Sequence, residues 1–206
     1  MKAWKVARVE LVELGNVWDW NENVISSGDL GFKLSLLEKD LIGAEIGVFQ
    51  GYNLCSLLKE APNIKKMFAI DPYIAYDASD IGDSNYNQDL LNYSKEKSFN
   101  LIKQNNFLNR VEFIYLTSNE ALKQIKDESL DFIFIDGNHS YENAYEDFCN
   151  YFIKVKPGGV FSGHDKHLPT VYTALKNFSD KNNINFPNEY LDLGNESAWA
   201  YIKPIE

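Results

Sequence analysis

The feature that most constrains the fold is a short apolar run that leads into a glycine turn and then into a helical stretch. The run covers residues 44–49, contains one acid, Glu45, and leads to Gly51, after which residues 52–60 have a helical pattern. Strand, glycine turn and helix, in this order, form the opening unit of nucleotide-binding α/β sheets. Glycine suits such a turn because the backbone bends sharply and a ligand can approach where there is no Cβ. We therefore expect a ligand site at this turn.

A second apolar run, residues 66–71, ends in Asp71, 20 residues after Gly51. An acid at about this distance, at the carboxyl end of the second strand, hydrogen-bonds ribose hydroxyls in nucleotide-binding sheets. The alternative is an aspartate that only caps a turn. The glycine turn that precedes it favours the nucleoside-binding interpretation.

Composition excludes several classes of protein. The chain has 206 residues, of which 45% are hydrophobic and 24% charged, which is typical of one globular domain, residues 1–206. A net charge of −10 argues against binding to the nucleic-acid backbone. No apolar run approaches a membrane span, the N-terminus lacks the apolar core of a signal peptide, and Cys55 and Cys149 have no metal-site spacing. We expect a cytoplasmic protein with no nucleic-acid or membrane partner.

Strands and helices alternate along most of the chain. The pattern predicts strands at 44–49, 66–71, 111–116, 130–136 and 160–163, a terminal strand pair at 189–193 and 197–202, and helices at 30–38, 52–60, 86–104, 119–125 (capped by Ser118), 141–154 and 168–182. Residues 1–40 form an N-terminal extension, and the polar loop 72–85 is either a lid over the ligand or a tolerated insertion. Helical crossovers imply a right-handed parallel sheet, whose ligands bind at the carboxyl ends of the strands. Five polar residues follow strands there: Glu45, Asp71, Asp136, His164 and Asp165.

The glycine pattern also restricts the ligand. The chain lacks the G-x-G-x-x-G of dinucleotide sites and the G-x-x-x-x-G-K-[ST] of P-loops. A carboxylate beside the turn would repel phosphate and would suit a ligand with an ammonium and a sulfonium group. Asp71 and the two residues after it are similar to the Pro-Tyr motif of DNA amino-methyltransferases, but they follow strand two rather than strand four, so that class is excluded.

Together these residues resemble the class I S-adenosylmethionine-dependent methyltransferases. The resemblance covers residues 40–203 and rests on Glu45-x-Gly47-x-x-x-Gly51, on Asp71 and on the terminal strand pair. The segments 135–142, 156–160 and 163–165 are similar to the O-methyltransferase branch that includes macrocin-type sugar O-methyltransferases and cephalosporin hydroxylase-like proteins. The resemblance implies an α/β fold: a Rossmann-like, doubly wound, mostly parallel seven-stranded sheet with an antiparallel C-terminal strand and helices on both faces.

The same resemblance implies roles for individual residues. Those that would bind S-adenosylmethionine are Glu45, Gly47, Phe49, Gly51, Asp71, Thr117, Ser118 and Asp136. Asp136 would face both methyl donor and acceptor, and with His164 and Asp165 it would bind Mg2+ or another divalent metal. Because Mg2+ prefers oxygen ligands, His164 leaves the identity and the presence of a metal open. Without a metal, His139 or His164 would be the base, since imidazole titrates near neutrality.

The implied reaction is methyl transfer to a hydroxyl of a small, sugar-like acceptor, and relatives that self-associate make a homo-oligomer an open alternative. Two other functions fit the same fold. One is a metal-dependent hydroxylase-like protein, and the other is a non-catalytic module that retains the cofactor pocket. The sequence does not identify the acceptor.

Overall fold

The computed structural model describes residues 27–76, 86–186, 191–192 and 197–205. Within them the helices are α1 (Ser27–Ser35), α2 (Tyr52–Glu60), α3 (Gln88–Gln104), α4 (Ser118–Ala121), α5 (Tyr141–Phe152) and α6 (Pro169–Lys181). The strands are β1 (Leu41–Ile46), β2 (Ile64–Ile70), β3 (Val111–Ile114), β4 (Leu130–Ile135), β5 (Val155–Gly163), β6 (Leu191–Asp192) and β7 (Trp199–Ile202). Short 3-10 turns at Leu108–Arg110 and Leu122–Gln124 precede β3 and follow α4.

The described strands form one seven-stranded sheet in the order β3-β2-β1-β4-β5-β7-β6. Strands β1 to β5 are parallel, whereas β7 is antiparallel to both β5 and β6. This confirms the predicted fold class. The chain runs outward from β1 to β3 and then returns to β4 on the other side of β1. The gap between the ends of β1 and β4 is therefore the switch point at which such sheets bind ligands.

Strand β4 shows why the sheet has helices on both faces. All six of its residues are buried, and from Phe132 to Ile135 the side chains alternate between two apolar cores. Ile133 and Ile135 pack in the core beneath α5 and α6, whereas Phe132 and Phe134 pack in the core that contains residues of α1 and α2. A strand buried on both faces needs this continuous apolar pattern, and side chains of period two divide it between the faces.

Several predicted boundaries differ from the observed ones. Thr117, not Ser118, is the N-cap of α4: its side chain accepts from the Glu120 amide, and the Glu120 carboxylate accepts from the Thr117 amide. This reciprocal pair is a capping box. Strand β5 begins at Val155, five residues before the predicted strand at 160–163. The predicted extension at 1–40 and the loop 72–85 lie partly outside the described residues.

No helix among the described residues combines the length and the apolar composition that a membrane crossing needs.

Candidate functional site

The glycine turn after β1 is wedged between the ends of the two neighbouring strands. The Gly47 amide donates to the Ile70 carbonyl at 2.9 Å, and the Asp136 amide donates to the Ile46 carbonyl at 2.8 Å. Gly47 has a φ of 81°, and a Cβ there would lie 1.9 Å from the Asp136 carbonyl oxygen. Only glycine fits, because any other residue would separate the ends of β1 and β4.

Asp71 holds this turn with both carboxylate oxygens. Oδ2 accepts the amides of Val48 (3.0 Å) and Phe49 (2.9 Å), and Oδ1 accepts the amide of Tyr73 at 2.8 Å. These bonds support Phe49 at a φ of 46°, which non-glycine residues rarely adopt. Burial raises the pKa of Asp71, and the three amide donors oppose that rise. A carboxylate has about four lone-pair positions, so roughly one acceptor position remains on Asp71.

Glu45 is a buried acid on β1 whose hydrogen bonding is incomplete. It is 1% exposed, and its Oε1 accepts from Asn53 Nδ2 at 3.2 Å. Glu45 Oε2 and Asn53 Oδ1 are both buried and have no hydrogen-bond partner among the described residues. Burial raises the pKa of Glu45 well above its ordinary value; the Asn53 bond opposes the rise, and the charges of Asp136 and Asp71 add to it. Two buried acceptors without donors indicate a place for a donor-rich, cationic ligand group.

The turn, Asp71 and Glu45 open into one cavity of about 510 Å³. This volume lies within the range of roughly 300–1,000 Å³ that small-molecule sites occupy. Every residue that the sequence predicts for cofactor binding lines it: Glu45, Gly47, Phe49, Gly51, Asp71, Thr117, Ser118 and Asp136. Tyr76 and Tyr86 line it too; their rings stack at 5.1 Å, and their backbones form an antiparallel bridge.

The far wall of the cavity contains a buried acid that the sequence did not single out as functional. Asp147, on α5, is 4% exposed and lines the cavity. The side chain of Ser118 lies near enough to act on the pKa of this carboxyl, and Asp147 Oδ2 lies 3.5 Å from where a Cβ on Gly137 would be. Burial raises the pKa of Asp147 to about 7, against the effect of Ser118, and the charge of Glu146 adds to the rise.

The three histidines of the chain all lie within 4 Å of Asp165. Asp165 Oδ2 is 3.0 Å from His139 Nε2, and its Oδ1 is 3.1 Å from His164 Nδ1 and 3.8 Å from His167 Nδ1. His139 Nε2 is also 3.7 Å from Asp136 Oδ1. Among the described residues, the group with metal-ligand geometry is Asp136, His139 and Asp165, whose ligand atoms lie within 4.8 Å of one another.

The charges in this cluster shift one another's pKa values. Burial raises the pKa of Asp136, and the His139 bond opposes the rise. Burial acts to raise the pKa of Asp165, but its bonds to His139, His164 and Asp136 outweigh that effect and lower it. The bond to Asp165 raises the pKa of His164. The imidazole of His139 therefore lies beside two carboxylates whose pKa values are shifted in opposite directions.

The predicted catalytic and metal residues divide into two groups. Asp136 and His139 line the cavity, whereas His164 and Asp165 are not among its lining residues. The structure brings His139, rather than His164, into the group with Asp136 and Asp165. Sequence reasoning gave Asn143 and Asp147 no functional role because both lie on a helix and not at a strand end. One signal was available, since Ala144, Asp147, Phe148 and Tyr151 are the buried stripe of α5, and an acid interrupts it.

Comparison with known proteins agrees with the geometry. A methyltransferase-domain family model matches residues 44–166, more than half of the chain. An uncharacterized protein of Acanthamoeba polyphaga mimivirus is 32% identical over 144 residues, and the match covers 66% of this chain but only 58% of that relative. A solved Corynebacterium glutamicum structure is matched over 100% of this chain and 91% of its own, at a TM-score of 0.63 and 15% identity.

The O-methyltransferase NovP has a solved structure that is matched over 80% of this chain and 72% of its own, with a TM-score of 0.62 and 16% identity. At such identities the two solved structures show a shared fold and no more. The assignment to a family rests on the family-model match, whose range includes the glycine turn, Asp71, Asp136 and Asp165. The resemblance found in the sequence is confirmed: the chain belongs to the methyltransferase-domain family.

Proposed function

We propose that the protein transfers a methyl group from S-adenosylmethionine to a hydroxyl of a small, sugar-like acceptor. The observation that carries this proposal is the pair of buried acceptors without donors, Glu45 Oε2 and Asn53 Oδ1, in the wall of the cavity. An ammonium group has three donors and a positive charge, so the methionine end of the ligand satisfies both atoms. The positive charge of that group would also lower the pKa of the Glu45 carboxyl, which burial raises.

The remaining contacts follow from the order of the strand ends. Asp71 has roughly one acceptor position left, which a ribose hydroxyl fills, while its other bonds keep the glycine turn in place. Gly47 and Gly51 let the ligand approach the backbone at the turn. The adenine base then lies toward Thr117 and Ser118, at the opposite end of the cavity from Glu45.

S-adenosylmethionine supplies a methyl group that its sulfonium already activates. The chain must therefore hold an acceptor oxygen in line with that methyl and remove the hydroxyl proton. Asp136 lines the cavity and lies 3.7 Å from His139, so it is placed to orient the acceptor hydroxyl beside the imidazole that accepts its proton.

The donor set Asp136, His139 and Asp165 fits a divalent metal ion. Two carboxylates and one imidazole suit Mn2+, Fe2+ or Zn2+ as well as Mg2+, which prefers oxygen ligands. Such an ion would lower the pKa of the acceptor hydroxyl. Without it, His139 accepts the proton and Asp165, 3.0 Å from Nε2, orients the ring.

The metal assignment is tested by comparing two histidine variants with Mn2+ as the probe. His139→Ala should abolish Mn2+ binding in isothermal titration calorimetry, whereas His164→Ala should leave it within a few-fold of the wild type. Loss of binding in His164→Ala alone would favour the set of Asp136, His164 and Asp165. If neither the wild type nor any variant binds Mn2+, and chelation with EDTA leaves turnover intact, His139 acts as the base.

Methyl transfer itself is tested by binding and by turnover. The wild type should bind S-adenosylmethionine in calorimetry, and Asp71→Ala should bind it far more weakly. Incubation with a panel of glycosides and phenols should release S-adenosylhomocysteine with at least one acceptor. Oxygen consumption with bound iron and no methyl transfer would instead support a hydroxylase-like protein. Cofactor binding without turnover of any acceptor would support a non-catalytic module.

A further inference from the structure

Asp147 is a buried acid in the cavity wall that neither the methyl transfer nor the metal set uses. It belongs to α5, lines the cavity together with Ser118 and lies beside Gly137. Among the described residues no lysine, arginine or histidine forms a salt bridge with it. A carboxyl buried without a cationic partner is costly, so its retention in the wall of a ligand cavity needs a reason.

The position of Asp147 decides which part of the ligand it meets. The methionine end is assigned to Glu45 on β1 and the ribose to Asp71 after β2, so the base lies against the wall formed by Thr117, Ser118 and α5. Thr117 Oγ1 is occupied in the capping box with Glu120. Asp147 therefore provides the buried carboxyl against which the edge of the base rests.

The chemistry of a buried carboxyl matches this edge. The exocyclic amino group of adenine is a donor, and the ring nitrogen beside it is an acceptor. A protonated carboxyl has an acceptor oxygen and a donor hydroxyl side by side, and it satisfies both. Burial favours this protonated form near neutral pH. The titratable groups that interact with Asp147 are Glu146 and Tyr151, both on α5. Its neighbours from other elements are not titratable: Ser118 on α4 and Gly137 in the loop after β4.

We propose that Asp147 determines base specificity by hydrogen-bonding the exocyclic amino group of adenine in the bound cofactor. This inference rests on the proposed function, since it assumes that the cavity binds an adenosyl ligand. It assigns Asp147 to recognition of the base and gives it no part in moving the methyl group or the proton.

The test is a cycle of two ligands and three proteins, measured by calorimetry. The ligands are S-adenosylhomocysteine and its analogue in which unsubstituted purine replaces adenine, so that only the amino group is missing. The wild type should bind the analogue about tenfold more weakly, the effect of one buried hydrogen bond. Asp147→Asn keeps an acceptor and a donor in the same shape and should preserve that ratio. Asp147→Leu removes both and should bind the two ligands equally.

If Asp147 has only a structural role, Asp147→Leu should lower the affinity for both ligands by the same factor and keep the tenfold ratio between them. That result would overturn the proposal. Asp147→Ala provides the same comparison if the leucine variant does not fold. Failure of the wild type to bind S-adenosylhomocysteine at all would overturn the proposed function and this inference with it. Binding by the wild type with no preference between the two ligands would overturn only the role of Asp147.

Discussion

Replacing Asp147 by asparagine should change how the stability of the ligand-free protein depends on pH. The folded protein holds this carboxyl at a pKa of about 7, against an ordinary value of 3.8. The unfolded chain therefore releases the proton at lower pH than the folded one. Between these two values unfolding releases a proton, so the free energy of unfolding falls as pH rises. The contribution is complete below pH 3.8 and is lost as pH rises through about 7.

The size of the effect follows from that difference in pKa. About three pKa units at 1.36 kcal/mol each give an upper limit of about 4 kcal/mol. Between pH 5 and pH 8 the change is about 3 kcal/mol, because part of the loss already occurs below pH 5. Asp147→Asn has no such dependence. As pH rises from 5 to 8, the free energy of unfolding of Asp147→Asn should therefore increase by about 3 kcal/mol relative to that of the wild type. Glu45, Asp71 and Asp136 titrate equally in both proteins and do not contribute to this difference.

Urea denaturation at pH 5 and pH 8 measures this difference, provided that the m-value is the same in both proteins. Glu142→Gln is the matched control, because it removes an exposed carboxyl from the same helix that is not among the groups shifting the pKa of Asp147. The control should follow the pH dependence of the wild type to within about 0.5 kcal/mol. Parallel curves for the wild type and Asp147→Asn would refute the reasoning, since they would mean that Asp147 is charged in the folded protein throughout this range.

Three further predictions concern the turn, the ligand and the frame of the sheet. Gly47→Ala should lower the free energy of unfolding by about 2–5 kcal/mol in urea denaturation, because its Cβ would meet the Asp136 carbonyl at 1.9 Å and its φ is positive. Glu45→Gln should weaken S-adenosylhomocysteine about tenfold in calorimetry, because an amide cannot offset the ligand's ammonium charge; equal affinity would contradict the proposed contact. Arg110→Lys should cost about 1.5–3 kcal/mol of stability by the same denaturation assay, because the guanidinium donates to three carbonyls at the end of α2 and the start of β2, at 2.7, 2.9 and 3.1 Å, and an ammonium cannot span them.

The sequence predicted most of the fold because each strand and helix has its own local period. The start of strand β5 could not be predicted from the local sequence pattern. Residues 156–159, Lys-Pro-Gly-Gly, lie between the helix predicted at 141–154 and the strand predicted at 160–163, whereas they belong to the strand Val155–Gly163. The Gly158 amide donates to the Lys203 carbonyl, and the Lys203 amide donates to the Gly159 carbonyl, at 2.8 and 3.0 Å. Partners this distant in sequence hold an irregular strand extended, and no local pattern contains them.

The residues predicted to bind the cofactor line one cavity because they lie at or near strand ends, and parallel strands bring their carboxyl ends to one edge. The metal residues were harder to predict. The family resemblance implied Asp136, His164 and Asp165 as the ligands. In the structure Asp165 has a φ of 57°, and its carboxylate contacts His139 as well as His164. His139 meets Asp165 through the loop after β4, a contact that only the folded chain provides, and the set with His164 stays a prediction.

The buried acids of the cavity favour a ligand of positive charge. Glu45, Asp71 and Asp136 lie around one opening, and burial raises the pKa of each of them. In the ligand-free protein this arrangement costs stability, because the carboxyls are either held protonated or repel one another. A ligand that carries ammonium and sulfonium charges offsets that cost, whereas a phosphate would add to it. The same acids that destabilise the empty cavity therefore select a cationic cofactor over a dinucleotide.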